Sequence, residues 1–261
     1  MPPSSQGSGP ATVTIEMSHV PELPSEYHEK HRVLSSCERH ILVRHKGAAA
    51  FSTIVPAGIF NPYGGIAAHK LLELILDDVC AVWNRQVVDL GCGSGVIGLA
   101  SILRGAKSVL FSDINPRVLP LRDHAMLREC DRVGVQDLLA NETSGSHDLV
   151  IMSTPTNVAD EVTSIASDSY ESGILRTPDF FHRLVTDAHR CLRAGGMILF
   201  WIKIPIGTKS FDDLCSTLSI AGFERSSFKV HWEAFADQVG VGTHPDDSRT
   251  RHLIIEATKR G

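Results

Sequence analysis

The sequence predicts a doubly wound α/β fold, a mostly parallel sheet of seven strands with helices on both faces, preceded by an N-terminal extension. Three observations carry this prediction. A strand, a glycine turn and a helix follow one another within Gln86 to Ala100, QVVDLGCGSGVIGLA. From Ile66 to Ile220, short apolar β-type runs alternate with segments whose apolar residues recur at helical spacing. Two more β-type runs, Phe228 to Ala234 and His252 to Ala257, then follow without a helical segment between them, which suits a paired end with one antiparallel strand.

Taken in order, residues 1–25 are rich in Pro, Ser and Gly and are expected to form a flexible tail. Residues 26–80 read as an extension that contributes to a cofactor and substrate pocket, and residues 81–261 as the cofactor-binding domain. Within the extension, Ile41 to Val43 and Phe51 to Val55 flank Lys46-Gly47 and predict a hairpin. A turn-rich loop, Gly58 to Gly65, places Phe60 and Tyr63 where they could lie over the cofactor. Ile66 to Val79 reads as a helix.

Val87 and Val88 suit a strand buried on both faces, and Gly91, Gly93 and Gly95 can take positive φ and bring bare backbone close to a ligand. The helix that follows presents unpaired N–H groups at its start. Ser108 to Ser112 is the next strand and ends at Asp113, a carboxylate able to accept both hydroxyls of a ribose. Ile114 beside it can cover a face of adenine, and Asn115-Pro116 caps and opens a helix that Pro120 distorts. Asp131 to Leu139 contains the third strand, with Asp137 and Leu138 at its ligand-facing end, near the adenine amino group. His147 to Ser153 is the fourth strand and leads into Ser153-Thr154-Pro155-Thr156 beside the reacting centre. A polar loop or lid spans 157–177, Pro178 to Leu192 reads as a helix, Met197 to Ile204 as a buried strand and Asp212 to Ile220 as a helix.

Two cofactor classes match the glycine loop. Gly93 to Gly98 is a literal G-x-G-x-x-G with Asp113 following Gly93 by 20 residues, the pattern of a dinucleotide site and a nicotinamide-dependent oxidoreductase. Asp89, two residues before Gly91, separates the readings, because a carboxylate there repels a pyrophosphate and favours a cationic ligand.

Asp89-x-Gly91-x-Gly93-x-Gly95 resembles the first motif of class I S-adenosylmethionine (SAM) dependent methyltransferases. The wider chain, through Phe60-Asn61-Pro62, SDINPRVL, DLVIMSTP, Tyr170, Gly173, Asp179-Phe180 and LVTDAHRCLRAGGMILFWI, is similar to their small-domain group. That group includes the glutamine N5 methyltransferases of release factors and the rRNA guanine N2 enzymes. The resemblance implies a Rossmann-like methyltransferase sheet, SAM as cofactor and S-adenosylhomocysteine (SAH) as product, with Asp89 holding the cationic amino acid end. It also implies that Ser153, Thr154, Pro155 and Thr156 form the acceptor site. There the group carries Asn-Pro-Pro-Tyr, so the planar-amine grip is altered and an N-methylated small molecule, an amino acid or specialised metabolite, becomes the expected acceptor. A protein glutamine or rRNA acceptor is the alternative.

A net charge of −5 with no long Lys/Arg cluster points away from a nucleic-acid partner, and hydrophobic content of 43% is enough for a sizeable core. The six cysteines contain no C-x-x-C, so no metal site is expected and reduced thiols fit a cytoplasmic protein. No apolar run is long enough to predict a membrane span. His182, His231 and His244 are the candidate bases on the acceptor side.

Overall fold

The computed structural model describes residues 12–25, 27–63, 65–155, 157–158, 175–176, 179–205, 208–235 and 250–261. The N-terminal part comprises β1 (Val13–Met17), α1 (Tyr27–Ser35), β2 (Arg39–His45), β3 (Ala48–Val55) and α2 (Ile66–Leu76). The expected hairpin is β2–β3, turning at Lys46 and Gly47 with φ of 50° and 80°. β1 corrects the expectation of a tail reaching to Ser25. Val13, Ile15 and Met17 are buried while Thr14 and Glu16 are exposed, and the strand pairs antiparallel with β2 to complete a three-stranded sheet. This alternation is strong enough to add a strand within a Pro- and Ser-rich stretch.

The second part contains β4 (Gln86–Leu90), α3 (Val96–Leu103), β5 (Ser108–Asp113), β6 (Arg132–Val135), β7 (His147–Ser153), the short β8 (Asn157–Val158) and β9 (Leu175–Arg176), α4 (Phe180–Cys191), β10 (Leu192–Pro205), α5 (Thr208–Ile220), β11 (Lys229–Phe235) and β12 (Thr250–Thr258). Seven of these strands form one sheet in the order β11-β12-β10-β7-β4-β5-β6. Five run parallel in sequence from β10 to β6, and β12 lies antiparallel to both β10 and β11. This is the predicted doubly wound sheet with one antiparallel strand.

Alternation along the central strands divides the core. Val87, Val109, Phe111, Ile151, Leu199 and Trp201 face α2, α3 and the N-terminal strands. Val88, Leu90, Leu110, Val150, Met152, Phe200 and Ile202 face α4 and α5. Every one of these side chains is buried, which is why the strands read as near-continuous apolar runs.

Two elements differ from expectation. The segment after Asn115-Pro116 is a 3-10 helix, Pro116–Asp123, because Pro120 has no N–H to donate and its ring crowds a regular helix. Asn115 still caps it, its side-chain oxygen accepting the Arg117 N–H at 3.0 Å. The third strand stops at Val135, so Asp137 and Leu138 lie in the turn beyond it.

The N-terminal sheet is fastened to the glycine turn of the main sheet. Thr53 Oγ1 donates to the Ser94 carbonyl at 3.2 Å, Asn115 Nδ2 donates to the Gly58 carbonyl at 3.0 Å, and His124 Nε2 lies 2.9 Å from the Ser52 carbonyl. The turn after β4 and the segment after β5 therefore lie against residues 52–58.

Candidate functional site

The turn between β4 and α3 is built from three left-handed glycines, with φ of 67° at Gly91, 50° at Gly93 and 75° at Gly95. Residues with side chains rarely adopt this conformation, so the spacing of the glycines is what permits the turn. The N–H groups of Gly91 and Cys92 both donate to the Ser112 carbonyl, at 2.7 and 3.0 Å, joining the turn to β5.

Two carboxylates organise this turn. Asp113, at the end of β5, accepts the Gly93 N–H on Oδ2 at 2.8 Å and the Asn115 N–H on Oδ1 at 2.9 Å. Burial raises its pKa, against the lowering effect of these backbone donors. Asp89, at the end of β4, is 2% exposed, and its Oδ2 accepts the Gly98 N–H at 2.8 Å. Burial pushes its pKa up to about 7; the Gly98 bond opposes the rise and the charge of Asp113 adds to it. Asp89 thus braces the start of α3 from inside, a packing role that the expected contact with a cofactor's amino group had not included. Gly98 is required there too, since a Cβ at that position would come within 2.2 Å of the Phe111 ring.

The chemical consequence is a doubly acidic turn, one carboxyl buried and the other half-buried, whose two carboxyls repel each other. An anionic pyrophosphate would worsen that repulsion, whereas a cationic ligand relieves it. The residues therefore fit SAM, with its sulfonium and ammonium charges, better than a dinucleotide.

The remaining predicted residues fall into distinct environments. Ile114 is 41% exposed beside Asp113, placed as a cover for a planar ring. Phe60 is half-buried and stacks on His31 at 4.5 Å with planes 25° apart, and Tyr63 packs against the N-terminal core with its N–H donated to Asn61 Oδ1 at 2.9 Å. The residue of this loop that meets the glycine turn is Ile59, whose Cγ2 would lie 3.5 Å from a Cβ at Gly93. Asp137 forms an ion pair with Arg183 of α4, so its carboxylate already has a partner. Leu138, with φ of 51°, buries its side chain in the core under the sheet and offers only its carbonyl, which accepts from Ser112 Oγ at 3.0 Å.

On the acceptor side, Ser153 is half-buried at the end of β7. Thr154 is buried, and its Oγ1 and N–H both donate to the Trp201 carbonyl, at 2.6 and 3.3 Å. Its hydroxyl proton is thus committed to a neighbouring strand. Pro155 is buried and Thr156 lies outside the described residues. Of the candidate bases, His182 is exposed on α4, His231 is bonded to Glu256 Oε2 at 3.0 Å, and His244 lies outside the described residues. Cys92 is buried, and burial holds its thiol well above the usual range, so it is not a poised nucleophile. Among the described residues no group of three His, Cys, Asp or Glu could hold a metal ion, and no helix is long and apolar enough to cross a membrane.

A side chain that sequence reasoning missed is Trp201, opposite Ser153 on the adjoining strand. Its signal was the period-two alternation of Leu199, Trp201 and Lys203 within an otherwise apolar run.

The family model for the methyltransferase small domain matches residues 65–221. The chain belongs to the methyltransferase small domain family. That family is SAM-dependent, so SAM is the cofactor and the dinucleotide alternative falls away.

One relative, provisionally named a protein N5-glutamine methyltransferase, from Methanocaldococcus jannaschii, is 24% identical over 129 residues, 48% of this chain and 65% of the relative. A ribosomal protein L11 methyltransferase from Prochlorococcus marinus is 26% identical over 168 residues, 61% of this chain and 48% of the relative. The chain thus spans less than two thirds of either relative's length. Among solved structures, a Thermus thermophilus 16S rRNA N2 G1207 methyltransferase in complex with AdoMet and guanosine superposes with a TM-score of 0.52. It is 20% identical, with 86% of this chain and 51% of that one covered. These likenesses overturn the expectation of a small-molecule acceptor with nucleic acid set aside, because the related enzymes are named for protein or rRNA acceptors.

Proposed function

We propose that this chain is a SAM-dependent N-methyltransferase whose acceptor is a protein. The observation that carries the reading is the acidic glycine turn, with buried Asp89 and half-buried Asp113 set around three left-handed glycines at the strand ends of a methyltransferase-family sheet. The protein acceptor is supported by the two sequence relatives, both named for protein substrates.

SAM, when bound, supplies a sulfonium methyl that a nitrogen lone pair can displace. The chain's residues position and select. Gly91 and Gly93 leave the turn free of side chains, so bare backbone can approach the ligand. Asp113 keeps lone pairs for ribose hydroxyls beyond those used by Gly93 and Asn115, and Ile114 covers the base. Asp89 supplies negative charge that a cationic ligand holds in its ionised form. Ser153, at the end of β7, has a hydroxyl that can accept an N–H of the incoming nitrogen and orient its lone pair. The N-terminal sheet belongs to the same site, since Thr53 and Gly58 fasten it to Ser94 and Asn115.

The test is incubation with methyl-labelled SAM and either ribosomal subunits or purified release factors, followed by separation of protein from RNA. Label in a protein fraction supports the reading. Label confined to rRNA refutes the protein acceptor, and absence of label from both refutes methyl transfer to this class of substrate.

A further inference from the structure

We propose that the open edge of β6 is a docking site for an extended, acidic polypeptide segment, which adds to the sheet as a further strand and sets its carboxylates between Arg122 and Arg132. This binding is separate from methyl transfer and needs neither cofactor nor acceptor.

The edge is open because of the connections on either side of it. β6 is the last strand of the sheet, entered from the 3-10 helix Pro116–Asp123 and left through residues 136–146, which contain no helix. A groove of about 560 Å³ follows the strand, its lining including Arg122, Leu127, Arg132, Val135, Gln136 and Asn141.

The pairing with β5 determines which main-chain groups face this groove. Gln136 donates its N–H inward, to the Asp113 carbonyl at 2.8 Å, and the peptide groups of Gly134 and Arg132 share that direction. Those of Val133 and Val135 therefore point outward. Arg122 marks the same direction, its Nη2 donating to the Val133 carbonyl at 3.1 Å. Among the described residues the Val133 N–H and both main-chain groups of Val135 have no hydrogen-bond partner, and Val135 is 38% exposed. Such an edge is a template for another strand.

Charge then selects the strand. Arg122 reaches the edge from the 3-10 helix, whose Val118 and Leu121 pack on the face of α2 and α3, whereas Arg132 pairs with Leu110 and stands on the face of α4. The edge thus has a guanidinium on each face, and an extended chain presents its side chains to both faces in turn. Neighbouring acids do not cancel this surface. The side chains of Asp131 and Glu142, which pair with Arg128 and Arg132, are only 0% and 8% exposed, while that of Arg132 is 61% exposed. Arg122 bonds to the Val133 carbonyl and pairs with no carboxylate among the described residues. An incoming main-chain N–H takes over that carbonyl and frees Arg122 for a carboxylate of the same segment. A second copy of this chain fits less well, because edge-to-edge pairing would bring the arginines of both copies together. A nucleic acid offers phosphates but no peptide groups for Val133 and Val135.

The experiment uses the full chain and a short fluorescein-labelled peptide of valine and threonine with a central Glu-Glu pair, followed by fluorescence anisotropy at low salt. Saturable binding is expected, weakening as salt is raised. The same peptide with a central Lys-Lys pair, and a form with alternate backbone nitrogens methylated, are each expected to bind about tenfold more weakly or worse. Arg122→Gln is expected to weaken binding of the Glu-Glu peptide about fivefold, with SAH affinity and thermal midpoint unchanged. The proposal is overturned if the Glu-Glu peptide does not bind up to its solubility limit, if either control peptide binds as tightly, or if Arg122→Gln binds it as tightly as wild type. It is equally overturned if oligouridylate binds and the peptide does not, which would make the groove a nucleic-acid surface. Failure of the peptide to bind a chain that light scattering shows to be dimeric would assign the edge to a second copy instead.

Discussion

Replacing Asp89 with asparagine is expected to stabilise the free protein and weaken its hold on SAM. Burial, with a smaller contribution from Asp113, raises the folded pKa of Asp89 from 3.8 to about 7. A carboxyl raised in the folded state contributes stability that is complete below the unfolded pKa and is lost as pH rises through the folded one. At 1.36 kcal/mol per unit, the ionised group costs the folded chain up to about 4 kcal/mol above pH 7. With Asp89 only 2% exposed, solvent does little to reduce that cost. Asparagine keeps an oxygen for the Gly98 N–H and carries no charge. Urea denaturation of both proteins across pH 4 to 8.5 should therefore show the variant gaining on wild type by about 1.4 kcal/mol per pH unit between pH 4 and 7, then holding level. Titration with SAM should show the opposite, a loss of about 1.5 to 3 kcal/mol for the missing charged contact. A variant no more stable than wild type at pH 8.5 would refute the burial argument. One that binds SAM with unchanged affinity would remove Asp89 from the cofactor site.

Other perturbations follow from the same geometry. Wild-type affinity for SAM should fall as pH drops below about 7, because the cation favours ionised Asp89, and Asp89→Asn should abolish most of that slope in parallel calorimetric titrations. Gly98→Ala should lower the unfolding free energy by about 1 to 3 kcal/mol, since its Cβ would reach within 2.2 Å of the Phe111 ring, and chemical denaturation reads this directly. Thr154→Val should cost about 1 to 3 kcal/mol of stability by leaving the buried Trp201 carbonyl with fewer donors, while the Kd for SAM stays within about twofold of wild type.

Much of the fold was legible because the strands that make it are buried on both faces. Val87-Val88 and the apolar core of His147 to Ser153 leave a local hydrophobic record that needs no partner to interpret. The glycine turn was legible for a related reason, since the positive φ of Gly91, Gly93 and Gly95 restricts residue type locally. β1 was missed because five alternating residues lie in a stretch whose composition resembles a tail, and only pairing with β2 reveals them. The inward role of Asp89 depends on how closely α3 packs on β4, which no local pattern records. Thr154 and Trp201 are related only through the register of β7 with β10, across more than forty intervening residues, so their bond was invisible before the strands were paired. The identity of the acceptor misled the sequence reading for another reason. The overall charge of −5 describes the whole surface and says little about one edge of the sheet.

The most direct test of the central claim is calorimetric titration of the purified chain with SAM, SAH, NAD and NADP in parallel. The doubly acidic glycine turn predicts saturable binding of SAM and SAH and none of either nicotinamide nucleotide. Binding of NAD or NADP in place of SAM would contradict the account, because the acidic pair of Asp89 and Asp113 could not then be what selects the ligand.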